Sequence, residues 1–177
     1  MPVSLTSDVS LSQPIRCIIS DVDGVMTNGQ IIYDSVGVET KAFHVRDGLA
    51  IKLWLRSGHS FCILTARESD VVKRRADELG VTHLKQGSED KLDSAKKLIA
   101  EIGCGFENVC YIGDDLPDIP VMRRVGLAVA PADAARDAGD ASHWILRSKG
   151  GCGAVRECVE RLLRSQGNWD QYLDDGI

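Results

Sequence analysis

Several absences narrow the class of this 177-residue chain before any motif is considered. No apolar run approaches the length needed to span a bilayer. No basic excess exists either. With 21 Lys and Arg against 26 Asp and Glu, the net charge is −5, whereas a general nucleic-acid binder leaves a basic footprint. Met1 to Pro14 lacks the basic start and apolar centre of a secretory signal, so the chain reads as cytoplasmic with a polar, frayed opening segment (residues 1–14). None of the six cysteines falls in a C-x-x-C pair, and Cys17, Cys62 and Cys110 each lie within an apolar run. The spacings of a zinc site or a disulfide framework are missing, so these cysteines read as reduced, buried thiols. There is no internal repeat, low-complexity tract or domain linker. With 44% hydrophobic residues, the length suits one domain with a full core.

What is present is a regular alternation. Apolar runs at Cys17-Ile18-Ile19, Phe61-Cys62-Ile63-Leu64, Val109-Cys110-Tyr111-Ile112 and Leu127–Ala130 suit strands buried on both faces. Residues 82–85 and 143–146 read as shorter strands. Between them lie amphipathic helical segments, 68–79 closed by Gly80 and 91–102 closed by Gly103, then short helices at 117–124 and 133–138 and a last one at 154–164. Asp47 is expected to cap a helix running to about Ser57. Ahead of it, 28–46 reads as a hairpin whose second arm sets Lys41, Phe43 and Val45 on one face. Strands alternating with helices indicate an α/β, doubly wound, Rossmann-like parallel sheet over residues 15–165, followed by a tail at 166–177.

The polar groups gather at strand ends. Asp21 and Asp23 follow the first strand, Thr65 and Arg67 the next, and Asp114, Asp115 and Asp118 the strand at 109–112, while Lys91 opens a helix. Taken alone, Asp21-Val22-Asp23-Gly24 fits an Asx turn as well as it fits a site. In a doubly wound sheet, however, these points lie along one edge and can share one crevice. Clustered carboxylates without His or Cys partners suit a hard cation, Mg²⁺ above all when phosphate oxygens complete its shell. Lys91, a threonine hydroxyl and turn amides then suit phosphate, and an aspartate can accept a phosphoryl group covalently. Asp118 fits a supporting or capping role as well as a metal ligand. His59, His83 and His143 read as surface or packing residues.

Four segments together resemble the motifs of the haloacid dehalogenase superfamily of phosphatases. They are Asp21-Val22-Asp23-Gly24-Val25-Met26-Thr27, then Thr65, Lys91 and Gly113-Asp114-Asp115-x-x-Asp118, in the family's chain order. The resemblance implies that Asp21 is the nucleophile and Asp23 the general acid and base. It also implies that Thr65 and Lys91 hold the phosphoryl group. Mg²⁺ would be bound by Asp21, the Asp23 backbone carbonyl and Asp114, with Asp115 nearby.

Only a hairpin occupies the interval where many relatives insert a cap domain. Lys41–Gly48, Tyr111–Met122 and Gly150–Glu157 are similar to the capless branch that hydrolyses sugar-acid phosphates. That likeness implies 3-deoxy-D-manno-octulosonate (KDO) 8-phosphate as substrate, a homotetramer, and contacts to the sugar acid from His44, Arg46, Arg67 and Lys149. A nine-carbon sugar-acid 9-phosphate is the alternative within the branch. A phospho-receiver or a non-catalytic interaction domain is the alternative of another class, although a receiver places its phosphorylated aspartate after the third strand, where this chain has Lys85. Thr65-Ala66-Arg67 departs from the usual central glycine, and the Gly167–Tyr172 tail departs from the branch's pattern.

Overall fold

The computed structural model describes residues 5–174. The chain runs through α1 (Leu5–Ser12), β1 (Cys17–Ser20), a hairpin of β2 (Ile32–Tyr33) and β3 (Glu39–Thr40), and α2 (Val45–Arg56). Strands and helices then alternate as β4 (Ser60–Leu64), α3 (Asp70–Leu79), β5 (His83–Lys85), α4 (Lys91–Ile102) and β6 (Val109–Ile112). They continue with α5 (Ile119–Met122), β7 (Leu127–Ala130), α6 (Arg136–Asp140), β8 (Trp144–Ile145), α7 (Ala154–Ser165) and a short α8 (Gln171–Asp174). Six of these strands form one parallel sheet in the order β5-β4-β1-β6-β7-β8. The sheet grows outward from β1 on both sides, which opens a crevice at the carboxyl end of β1, between β4 and β6.

Every residue of β1, β6 and β7 is buried, which is why these strands are unbroken apolar runs. Alternate side chains serve opposite faces. Ile18, Ile63 and Ile112 enter the core under α2, α3 and α7, whereas Ile19, Leu64 and Tyr111 enter the one under α4 and α5. Local signals set the helix ends near the crevice. Ser69 and Asp90 cap α3 and α4 through their side chains, and Gly80 and Gly103 end them in the left-handed region. Among the described residues all six cysteines are free thiols, and no helix is long and apolar enough to cross a membrane.

The structure departs from the sequence expectations in four places. Residues 5–12 are helical rather than frayed, because Asp8 takes a bidentate bond from Arg161 of α7 and Gln166 bonds the Ser12 and Ile15 carbonyls; residues 1–4 lie outside the described part. The α2 helix begins at Val45, capped by His44 Nδ1 rather than by Asp47. Asp47 instead reaches across to the Arg156 N–H and caps the start of α7, where Gly153 has no side chain to do so. The second hairpin arm ends at Thr40, so strand alternation does not govern Lys41–Val45: Phe43 packs on the core while Val45 is exposed. Finally, the tail folds back on the body. Trp169 is buried, with the Arg156 and Arg164 guanidinium groups 4.8 and 5.1 Å from its ring centre, and the Tyr172 hydroxyl meets Ser57 Oγ and the Leu53 carbonyl. Residues 175–177 of that tail lie outside the described part.

Candidate active site

The chain leaves β1 at Asp21, a buried residue whose Oδ1 accepts from the Val22 N–H at 2.7 Å. The N–H groups of Val25, Met26 and Thr27 all turn back to the Val22 carbonyl, closing a tight loop. Gly24 sits in that loop at φ +89°, and a Cβ there would stand 2.0 Å from Asp114 Oδ2. Glycine is therefore needed twice, for the backbone conformation and for the approach of Asp114.

Asp114 and Asp115 follow β6, and Asp118 swings back beneath them. Its Oδ2 accepts from the N–H groups of Asp114 at 2.9 Å and Asp115 at 3.2 Å. Its Oδ1 accepts from Lys91 Nζ and the Tyr111 hydroxyl, both at 2.6 Å. Fully buried with four donors, Asp118 is the post that shapes this loop. Asp115 is exposed and turns its Oδ1 onto the Leu116 N–H, at the rim of the cleft.

Lys91, the first residue of α4, is buried with its Nζ 2.9 Å from Asp21 Oδ2 and 2.6 Å from Asp118 Oδ1. Asp21, Asp114 and Asp118 each offer an oxygen within 4.8 Å of the others. One buried ammonium thus pairs with two of three clustered carboxylates. Burial, reinforced by the Asp118 charge, pushes Asp21 up to about 6 against the pull of Lys91. Burial and the charges of Asp21 and Asp118 push Asp114 up to about 7. Burial disfavours the Lys91 ammonium, but its two carboxylate partners outweigh that and raise it above its ordinary value.

This imbalance is what a divalent cation would relieve. The donors are all oxygen; Asp118 is held by four hydrogen bonds, whereas Asp21 meets one N–H and the Lys91 ammonium, so Asp21 and Asp114 are the less encumbered carboxylates for an ion. The residues present fit a hard cation. Thr65, buried at the end of β4, completes a cavity of about 290 Å³ with these groups, Asp23 and Arg67.

Asp23 faces a different set of partners. Its Oδ1 lies 2.5 Å from Lys41 Nζ and its Oδ2 3.9 Å from Arg67 Nε. Glu39 ties the same two cations together, at 3.4 Å from Lys41 and 3.3 Å from Arg67. It also accepts from Ser69 Oγ at 2.5 Å, and that bond, with the two cations, holds its carboxyl below the usual range despite burial. The Tyr33 hydroxyl accepts from Arg67 at 2.9 Å. Sequence reasoning left Tyr33, Glu39 and Lys41 as hairpin residues. The opposite charges two apart in Glu39-Thr40-Lys41 were the available signal.

The four expected substrate contacts do not converge within one chain. Arg67 lines the cleft, whereas His44 and Arg46 line a separate cavity of about 540 Å³ beside Arg156 and Arg161. His44 is occupied there as the α2 cap. Lys149 is exposed in a loop whose next residues pack on the Gly24–Asn28 turn: the Gly151 N–H bonds the Val25 carbonyl, and a Cβ at Gly150 would stand 2.0 Å from the Gly24 oxygen.

A nucleophile-sized carboxylate, a buried lysine and an acidic oxygen cluster at the switch point of a doubly wound sheet define a hydrolase site of one class. The chain belongs to the haloacid dehalogenase-like hydrolases, whose family model matches residues 83–157. It is similar to the 3-deoxy-D-manno-octulosonate 8-phosphate phosphatase of Yersinia pestis, 47% identical over 152 residues that cover 86% of this chain and 81% of that protein. The enzyme of the same name from Escherichia coli K12 is 43% identical over 169 residues, covering 96% of this chain and 90% of that one. The crystal structure of the Moraxella catarrhalis phosphatase, in complex with a magnesium ion, a phosphate ion and a KDO molecule, superposes with a TM-score of 0.94. Its identity is 38%, over 97% of this chain and 99% of that one.

Proposed function

We propose that this protein is a Mg²⁺-dependent phosphoric monoester hydrolase that converts KDO 8-phosphate to KDO and phosphate through an aspartyl-phosphate. The observation that carries the reading is the buried Asp21 carboxylate held against Lys91 within an acidic, oxygen-only cluster. An Asp21 oxygen attacks phosphorus as the bond to the sugar oxygen breaks, and Asp23 gives that oxygen a proton. Water then attacks the phosphoryl group, Asp23 takes its proton, and the bond from phosphorus to Asp21 breaks to release phosphate. Lys91 and Thr65 hold the equatorial oxygens. The metal would be held by Asp21, the Asp23 backbone carbonyl and Asp114, with Asp115 nearby, and it would offset the phosphoryl charge.

The relatives' names favour the eight-carbon over the nine-carbon substrate, and family membership leaves a receiver or interaction module without support. We infer a phosphatase domain over 15–165 and a cytoplasmic homotetramer. The hairpin supports assembly, since Ile32, Tyr33, Val36 and Val38 are 44–81% exposed and two short strands alone leave open edges. With His44 and Arg46 in a separate cavity of their own chain, their contact with the sugar acid requires a neighbouring subunit, while Arg67 and Lys149 act from the cleft side. The test is kcat/KM for KDO 8-phosphate against a nine-carbon 9-phosphate and simple hexose phosphates. An advantage of at least about tenfold is expected, only ~1.4 kcal/mol of discrimination. Equal rates across the set would refute the substrate assignment.

A further inference from the structure

The hairpin holds one more residue that the reaction uses, and it does so without touching the cleft. We infer that Lys41 is the positioning residue for Asp23, fixing the carboxylate in the orientation from which it exchanges protons with the leaving oxygen and with water. The inference rests on the phosphatase reading above and deepens it.

Three observations carry it. The Lys41 side chain is only 1% exposed, a degree of burial that lysines reach when paired. Its Nζ sits 2.5 Å from Asp23 Oδ1, while Lys41 forms no part of the cavity wall, so it acts through Asp23 and not on substrate. Glu39 fixes Lys41 in turn, and is itself fixed by Ser69 at the head of α3 and by Arg67. The chain Ser69–Glu39–Lys41–Asp23 therefore links the start of a core helix to a cleft carboxylate that stands outside the Asp21–Asp114–Asp118 cluster. Arg67 approaches the other Asp23 oxygen at 3.9 Å, with its Nε buried and unpartnered, and it alone cannot set the carboxylate plane. A general acid and base must be held within hydrogen-bond reach of its proton, and a free carboxylate rotor in this cleft would spend its time elsewhere.

The experiment compares wild type, Lys41→Met and Lys41→Arg by steady-state and rapid-mixing kinetics with KDO 8-phosphate and p-nitrophenyl phosphate, in saturating Mg²⁺. Phosphorylating Asp21 from the aryl ester needs little proton donation, because p-nitrophenolate is a good leaving group, whereas hydrolysis of the aspartyl-phosphate needs Asp23 as base. Lys41→Met is therefore expected to lower kcat by at least about tenfold on both esters, with KM nearly unchanged on KDO 8-phosphate, where both steps slow, and lowered on the aryl ester, where the phosphoenzyme accumulates. On the aryl ester it should still release close to one equivalent of p-nitrophenol per site in a burst. Lys41→Arg is expected to recover most of kcat. A Lys41→Met enzyme with wild-type kcat, or one whose kcat falls with no burst, overturns the inference. If Lys41→Met does not fold, Lys41→Gln is read by the same criteria. Should KDO 8-phosphate prove no better than a hexose phosphate, the substrate assignment fails, and Lys41 is judged on whichever alkyl phosphate is turned over. Absence of turnover of every ester by wild type refutes both.

Discussion

Two hollows of this molecule differ in charge balance as well as in size. The hollow between α1, α7 and the start of α2 is the roomier, at about 540 Å³ against about 290 Å³ for the cleft at Asp21. Its carboxylates are nevertheless each satisfied locally: Asp8 by Arg161, Glu160 by Arg156 and Arg164, and Glu157 by the N–H groups of Arg147 and Ser148. Glu157 and Glu160 sit below the usual carboxyl range there, since these bonds outweigh their burial. In the cleft the balance is reversed: burial pushes two aspartates up to about 6 and about 7, and the neighbouring carboxylates add to it beyond what Lys91 offsets. Chemistry follows the unbalanced charge and not the volume.

The sharpest way to break this comparison is to remove the Asp21 carboxylate, which we propose as the nucleophile. Asp21→Asn is expected to lower kcat by about 10³-fold or more, the scale seen when a covalent nucleophile is lost. Arg164→Ala in the larger hollow should leave kcat within about twofold, because the pair it breaks is half exposed. Comparable losses in the two variants would mean that both hollows serve the reaction.

Stability separates the regions next. Without divalent cation, Lys91→Met leaves Asp21 and Asp118 buried with no ammonium between them. Urea denaturation should show a cost of about 3 kcal/mol, as for other broken buried pairs. Breaking the Glu160–Arg164 pair should cost below ~0.5 kcal/mol. If Lys91→Met unfolds no earlier than Arg164→Ala, the cleft is not the strained region.

The response to pH should differ in sign between the two hollows, since the lowered Glu157 and Glu160 lose their contribution as pH falls. Asp21 and Asp114 are raised from 3.8, so between about pH 4 and 7 the metal-free native state binds more protons than the unfolded chain. Stability then falls as pH rises through that window, and the full penalty is present above it. Mg²⁺ competes with the same protons, so its thermal shift should be small at pH 5 and largest above pH 7. At a hundredfold excess over Kd that shift corresponds to about 2.7 kcal/mol. An equal shift at both pH values would place the ion elsewhere.

The cleft was legible in the sequence wherever a residue stands at a strand end, because the topology of an α/β sheet alone brings Asp21, Thr65 and Asp114 together. The strands themselves were legible for a related reason: burial on both faces leaves uninterrupted apolar runs such as Val109–Ile112. What was not legible depends on contacts between distant segments. Lys41 reaches Asp23 because the chain leaves the strand after Thr40, a bend that the pattern of alternation does not encode. The opening helix exists through Arg161, 153 residues away, and Asp47 caps a helix other than the one it lies in. His44 and Arg46 have the residue types of an anion site, yet only the fold shows that they face another hollow.

The smallest expected effect lies in the tail, which closes the back of the larger hollow's helices. The Tyr172 hydroxyl stands 2.6 Å from Ser57 Oγ and donates to the Leu53 carbonyl at 3.1 Å, tying residues after α7 to the end of α2. Tyr172→Phe keeps the ring edge-on to Trp169 and removes only these bonds. The expected loss is about 1 kcal/mol, since a net protein hydrogen bond is worth no more, which in a chain of this size lowers Tm by about 2–4 °C. Turnover should not change, because the tail meets α2 at the end opposite His44 and Tyr172 does not line the cleft. A fall in kcat in Tyr172→Phe with Tm intact would connect the two regions and make the tail part of the site.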